Sequence, residues 1–221
     1  MKARFKARRA PPPLSGEALQ ELALRYVGKY ATTRAKLKSY LARKLRERGW
    51  DGEREPDLEA LGDRFAQLGY IDDAAYALGQ SRSLSSRGYG KRRLSQKLRL
   101  AGVEDEDRME ADAHADGAAV DAALRFAERR RIGPFASGVS DPGQREKWLA
   151  AMVRAGHAFG LAREIVRLSP GSEIDMDMLR ERSGTAELYT QVKIQAPKVG
   201  LPTQSPMLMG LAYGAYGFAS G

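Results

Sequence analysis

Arg87-Gly88-Tyr89-Gly90-Lys91-Arg92-Arg93-Leu94-Ser95-Gln96-Lys97-Leu98-Arg99-Leu100-Ala101-Gly102 is the stretch of this 221-residue chain whose pattern sets the fold. Glycines punctuate its start, as at a turn. Leu94 and Leu98 then stand four apart on one face of a helix, and Gly102 supplies a stop. The same rule, apolar-x3-apolar-x3-Gly, recurs at Leu41, Leu45 and Gly49 and again at Trp148, Met152 and Gly156. Three coordinated occurrences predict a helical repeat.

Working outward, each such helix is flanked by two others. Before Leu41, a helix starts at Thr32 or Thr33 as N-cap and runs to Arg48 on the ridge Leu37, Leu41, Leu45. Ahead of it, Leu19, Leu22, Ala23 and Tyr26 mark an amphipathic helix from near Glu17. Beyond Pro56-Asp57, a third helix buries Leu58, Leu61, Phe65 and Leu68 and stops at Gly69. In the next repeat Asp72 caps the helix carrying Tyr76, and Phe126 opens the third. Tyr26, Tyr76 and Phe126 are expected at matching places. The expected fold class is all-α, an elongated stack of three tandem three-helix repeats over residues 16–170 with disordered termini. Residues 1–15 read as a disordered basic arm stiffened by Pro11, Pro12 and Pro13. Residues 171–221 read as a disordered tail containing Gly and Tyr.

Charge narrows the function. Lys and Arg number 37 against 28 Asp and Glu, a net +9, which ranks nucleic acid first among partners and an anionic membrane surface second. With no cysteine, disulfides, thiol nucleophiles and Cys-bearing zinc sites are excluded. No apolar run reaches bilayer length and none follows the basic start as a secretory signal would, so a cytoplasmic protein without membrane attachment is expected. The charge is also segregated. Residues 21–50 hold nine bases and two acids, and residues 51–80 two bases and eight acids. Residues 81–103 hold seven bases and no acid, and residues 104–116 one base and seven acids. Helix-dipole preference accounts for charges at helix ends, not for whole helices of one sign.

The basic residues fall at equivalent repeat positions. Lys38, Lys91 and Arg145 lie three residues before the first apolar anchor of their helix, Lys44 and Lys97 three after it, and Arg46 and Arg99 five after it. Together with Arg87, Tyr89, Arg92 and Arg93 of the glycine-rich turn, they form a candidate phosphate-contacting face, with affinity supplied by counterion release. The blander reading is a solvated helix face, against which the segregation of sign argues. Backbone amides at the start of the following helix are a further candidate anion contact, and Tyr89 a stacking residue. Asp72-Asp73 reads as a cap and first turn rather than a metal site. His114 and His157 read as surface or joint residues. Hydrolytic triads, HExxH and EF-hand patterns are absent, so neither catalytic residues nor a metal or cofactor is expected.

Gly69-Tyr70-Ile71-Asp72-Asp73 with Ala75-Tyr76-Ala77, then Arg87-Gly88-Tyr89-Gly90 leading into Arg93-Leu94, Lys97-Leu98 and Ala101-Gly102-Val103, resembles the RecX family of recombination regulators. The likeness spans roughly residues 17–168 and is strongest in the middle repeat. It implies a non-enzymatic protein, here expected to be a monomer, lodged in the groove of the RecA–DNA filament. Such a protein modulates, usually by inhibition, the recombinase and its ATPase in DNA recombination, repair and the SOS response. Its partners would be the RecA filament and single- or double-stranded DNA, met through the basic second helices. The alternative is a direct DNA-binding module such as a transcription regulator. That reading calls for Asn or Gln beside Arg to read base edges, and Gln96 alone offers it.

Overall fold

The three glycines that close the repeat rule end three helices. Gly49, Gly102 and Gly156 adopt φ of +83°, +69° and +95°, where a Cβ is strained. The structure, a computed structural model, describes residues 11–181. The first repeat comprises α1 (Gly16–Val27), α2 (Arg34–Arg48) and α3 (Leu58–Gln67). The second comprises α4 (Asp73–Ser86), α5 (Lys91–Leu100) and α6 (Met109–Gly117). The third comprises α7 (Ala119–Arg130), α8 (Pro142–Arg154) and α9 (Phe159–Arg167). The fold is all-α. Among the described residues the extended backbone amounts to one bridge, Leu14 to Trp50, and no helix is long and apolar enough to cross a membrane.

Side-chain caps set the helix starts. Thr33 accepts from the Lys36 amide, Asp57 from Glu59 and Ala60, and Asp72 from Ala75. Each repeat then gathers its own apolar cluster: Leu19, Leu37, Leu41 and Phe65 in the first, Tyr76, Leu94 and Leu98 in the second, Phe126, Met152 and Ile165 in the third.

Four expectations need correction. Leu68 is 59% exposed, because Gly69 turns the chain before Leu68 can join the α3 ridge. Tyr26 falls near the end of α1, Tyr76 in the first turn of α4 and Phe126 in the middle of α7, so the aromatics are not equivalent. The N-terminal boundary lies earlier than residue 16, since Leu14 is fully buried and paired to the Gly49 and Asp51 backbone. Packing also continues past Pro170. Residues 176–181 are helical, Leu179 is fully buried, and Ile174 and Met176 lie against the third cluster. Most of the basic arm (1–10) and of the Gly/Tyr tail (182–221) lies outside the described residues.

The repeats are joined at two equivalent places, the end of one second helix meeting the start of another. The Thr33 hydroxyl, which caps the start of α2, donates to the Ala101 carbonyl at the end of α5 at 2.6 Å. At the equivalent place the Gly90 amide donates to the Ala155 carbonyl at 3.0 Å, and the Arg92 amide to the Gly156 carbonyl at 3.2 Å. Carbonyls at the end of α8 are thus satisfied by backbone amides at the start of α5, and one at the end of α5 by the hydroxyl that caps α2. Helices α8, α5 and α2 thus follow one another with the C-terminus of each against the N-terminus of the next. The approach is close enough that a Cβ on Gly102 would stand 2.2 Å from the Ala35 Cβ, and one on Gly90 2.2 Å from the Gly156 carbonyl oxygen.

His157 seals the second of these joints. Its ring is 2% exposed, tilts against Phe126 and donates from Nε2 to the Gly88 carbonyl at 3.2 Å. Burial pushes it down from 6.5 to about 4, with the Gly88 bond pulling weakly upward. The folded state thus refuses a proton that the unfolded chain takes. This contribution is complete above about pH 6.5 and is lost as pH falls toward 4, on the order of 3 kcal/mol in all. Thermal unfolding at pH 7 and pH 4.5 should show the loss. His157→Gln, which keeps a donor for Gly88, should show about 2–3 kcal/mol less of it; an equal loss in both proteins would remove His157 from the account.

Candidate nucleic-acid interface

The eleven predicted residues fall on the three joined helices and on the turn before α5. Lys38, Lys44 and Arg46 lie on α2, Arg87 and Tyr89 in the turn before α5, Lys91, Arg92, Arg93, Lys97 and Arg99 on α5, and Arg145 on α8. They are not equally available. Lys38 pairs with Glu59, Lys44 with Glu47 at 2.6 Å and Lys91 with Asp116 at 2.7 Å. Arg145 donates to the Ser140 carbonyl at 3.1 Å, and Arg87 to the Ser83 carbonyl at 3.0 Å. The Arg93 guanidinium lies 4.3 Å from the centre of the Tyr89 ring. Arg46, Arg92 and Arg99 are exposed, and with Lys97 they have no acidic partner among the described residues.

Two expected contacts change character. The α5 N-terminus is not open to an anion through the Gly90 and Arg92 amides, because both donate to the third repeat. Tyr89 is not a free stacking residue. It packs against the second and third apolar clusters and carries the Arg93 guanidinium on its face.

The segregated acids also have a structural part that the sequence pattern hid. Arg34, the first residue of α2, reaches Asp73 at 3.2 Å, Asp107 at 3.1 Å, Asp63 at 3.6 Å and Glu104 at 4.0 Å. The acid-rich stretches thus converge on one guanidinium where the first two repeats meet. The Asp73 carboxylate, 3% exposed, also accepts the Arg34 amide at 3.1 Å. Burial pushes its pKa up despite those bonds, while the Asp73 hydrogen bond holds Arg34 even higher than usual. The guanidinium keeps its proton, and its hydrogen bonds and charge favour the carboxylate form of Asp73. Asp73 therefore serves as a tie between repeats as well as a first-turn acid.

A second basic surface escaped the repeat pattern. Tyr26, Tyr30 and Tyr40 line a groove of about 560 Å³ between α1 and α2, together with Leu22, Arg25, Lys29, Arg43 and Lys44. The spacing of Tyr26 and Tyr30 around the end of α1 was the available signal. It was legible only once Tyr40 was known to pack against Tyr26, with ring centres 4.3 Å apart.

Comparison with known proteins agrees with this architecture. Residues 72–111 match the family model described as RecX, second three-helix domain. The chain is 35% identical over 171 residues to the regulatory protein RecX of Myxococcus xanthus, a match covering 72% of this chain and 90% of that protein. It is 31% identical over 169 residues to the regulatory protein RecX of Mycobacterium sp. strain KMS, covering 74% and 90%. The crystal structure of RecX from Lactobacillus salivarius superposes with a TM-score of 0.50 at 19% identity, over 68% of this chain and 94% of that one, a likeness of fold.

Proposed function

The chain belongs to the RecX family, and from that premise we propose that it is a regulator of the RecA recombinase, bound along the RecA–DNA filament and inhibiting strand exchange and ATP hydrolysis. The observation that supports the reading is the series α8, α5, α2, joined by backbone bonds at one joint and by the Thr33 hydroxyl at the other, with exposed basic side chains on each helix. A filament offers a partner that is itself repetitive and rich in phosphate. Arg92 and Arg99, with Arg46 and Lys97, are the contacts that give up neither an ion pair nor a hydrogen bond or ring contact of the side chain among the described residues. Lys38, Lys44 and Lys91 join only by exchanging an acid for a phosphate, which costs most of what the new bond returns. Arg145, Arg87, Arg93 and Tyr89 act as supports of the same face. The protein does no chemistry of its own in this role, needs no cofactor, works as a monomer in the cytoplasm, and meets DNA through phosphate rather than base edges.

The test is DNA-dependent ATP hydrolysis by the cognate RecA with the full chain titrated in. Suppression at less than one chain per RecA protomer is expected. An unchanged rate together with tight, sequence-selective binding to bare duplex would replace this reading with a direct DNA-binding module.

A further inference from the structure

We propose that the groove between α1 and α2 is a stacking site for an unpaired base of single-stranded nucleic acid, with Tyr30 as its exposed platform and the Tyr26–Tyr40 pair as its wall. The proposal rests on the reading of the chain as a nucleic-acid-facing protein and adds to it a contact of a different kind. Only Lys44 belongs both to this groove and to the basic face described above. Tyr26 and Tyr40 stack nearly parallel at 14°, and Tyr30 stands 5.4 Å from Tyr26 with half of its surface exposed. Three neighbouring rings on one wall are more aromatic surface than a solvated helix needs.

The rim supplies charge to match. The Lys29 amine lies 5.4 Å from the centre of the Tyr30 ring, and the Arg43 guanidinium 5.5 Å from that of Tyr40. Arg25 pairs with Glu21, and Glu47 is shared by Arg43 and Lys44. Four cations thus face two acids, and Lys29 has no acidic partner among the described residues. An acidic peptide would use the cations and leave the rings idle; a strand of unpaired bases uses both, through phosphate pairing and base–aromatic stacking. The groove volume falls in the range of small-ligand sites, about 300–1,000 Å³, enough for a nucleotide unit while the backbone continues past the opening. The stack accepts any base, because every base has a π-face.

The experiment measures, at low salt where phosphate contacts are strongest, fluorescence anisotropy of the full chain with labelled oligo(dT) and with an abasic oligomer of the same phosphate count. Oligo(dT) should bind about tenfold more tightly. Tyr30→Ala should reduce oligo(dT) to the abasic level with an unchanged helical circular dichroism spectrum, and Tyr30→Phe should keep the difference. Arg92→Glu with Arg99→Glu should weaken both oligomers and preserve their ratio. Equal binding of the two oligomers to the unaltered chain would overturn the groove alone. So would a poly-glutamate peptide that displaces oligo(dT) as well as unlabelled oligo(dT) does. Binding of neither oligomer would overturn the nucleic-acid face along with it.

Discussion

Gly90→Ala will lower the stability of the chain by about 3 kcal/mol or more, seen as a fall in the thermal unfolding midpoint by circular dichroism. The backbone at Gly90 has φ −85° and ψ 168°, which any residue adopts, so the demand at this position is for space alone. A Cβ there would stand 2.2 Å from the Gly156 carbonyl oxygen and 2.5 Å from the His157 amide nitrogen. Both are backbone atoms and cannot swing aside. Gly156 is itself fixed at φ +95°, and a Cβ on it would stand 2.6 Å from the Arg93 amide nitrogen. Relief therefore requires the third repeat to move away from the second, which breaks the Gly90–Ala155 and Arg92–Gly156 hydrogen bonds. Gly79 is the control. It lies exposed in the interior of α4 with nothing within 4 Å of a built Cβ, so Gly79→Ala should raise stability by about 0.5–1 kcal/mol through helix propensity. Equal effects at the two glycines would show that the joint is looser than described.

Arg92→Glu with Arg99→Glu will weaken association with the RecA–DNA filament on the order of a hundredfold, with little change in the unfolding midpoint. Two charge-assisted hydrogen bonds at about 1.5 kcal/mol each account for that factor. Both side chains are exposed and without an acidic partner among the described residues, so reversal dismantles no internal bond. Glu at position 92 stands in the first turn of α5, where the dipole favours an acid, which protects the fold. Its backbone bond to Gly156 does not involve the side chain. The logarithmic salt dependence of binding should also fall by about two for two lost phosphate contacts. Lys91 and Arg93 are poorer choices, because reversing them sets an acid against Asp116 and strips the cation from Tyr89.

What could be read from residues alone was local. The glycine stops at 49, 102 and 156 and the caps at Thr33 and Asp72 are each decided by the conformation of a few consecutive residues. Asp141 before Pro142 carried an equally plain N-cap signal for α8 and went unread. The resemblance to the RecX family was strongest in the middle repeat, where the family match also falls. The rest depends on residues distant in sequence. That one hydroxyl, Thr33, caps α2 and holds the end of α5 needs a contact across 68 positions. That Arg34 gathers four carboxylates of the two acid-rich stretches depends on residues 29 to 73 positions away from it. Leu179 and Met176 stand three apart on a helical segment of 176–181, too short to show a period, so their packing against the third repeat was not legible as a pattern.

The central claim is that the basic second helices dock on a filament, and co-sedimentation tests it most directly. The full chain is spun with RecA assembled on single-stranded DNA, and separately with the same DNA without RecA, at low and at physiological salt. The account predicts that at physiological salt the chain pellets with the filament and stays in the supernatant with DNA alone, and that the Arg92→Glu/Arg99→Glu chain stays in the supernatant with both. A chain that follows the DNA equally with and without RecA, or a double variant that pellets with the filament as the unaltered chain does, would contradict it.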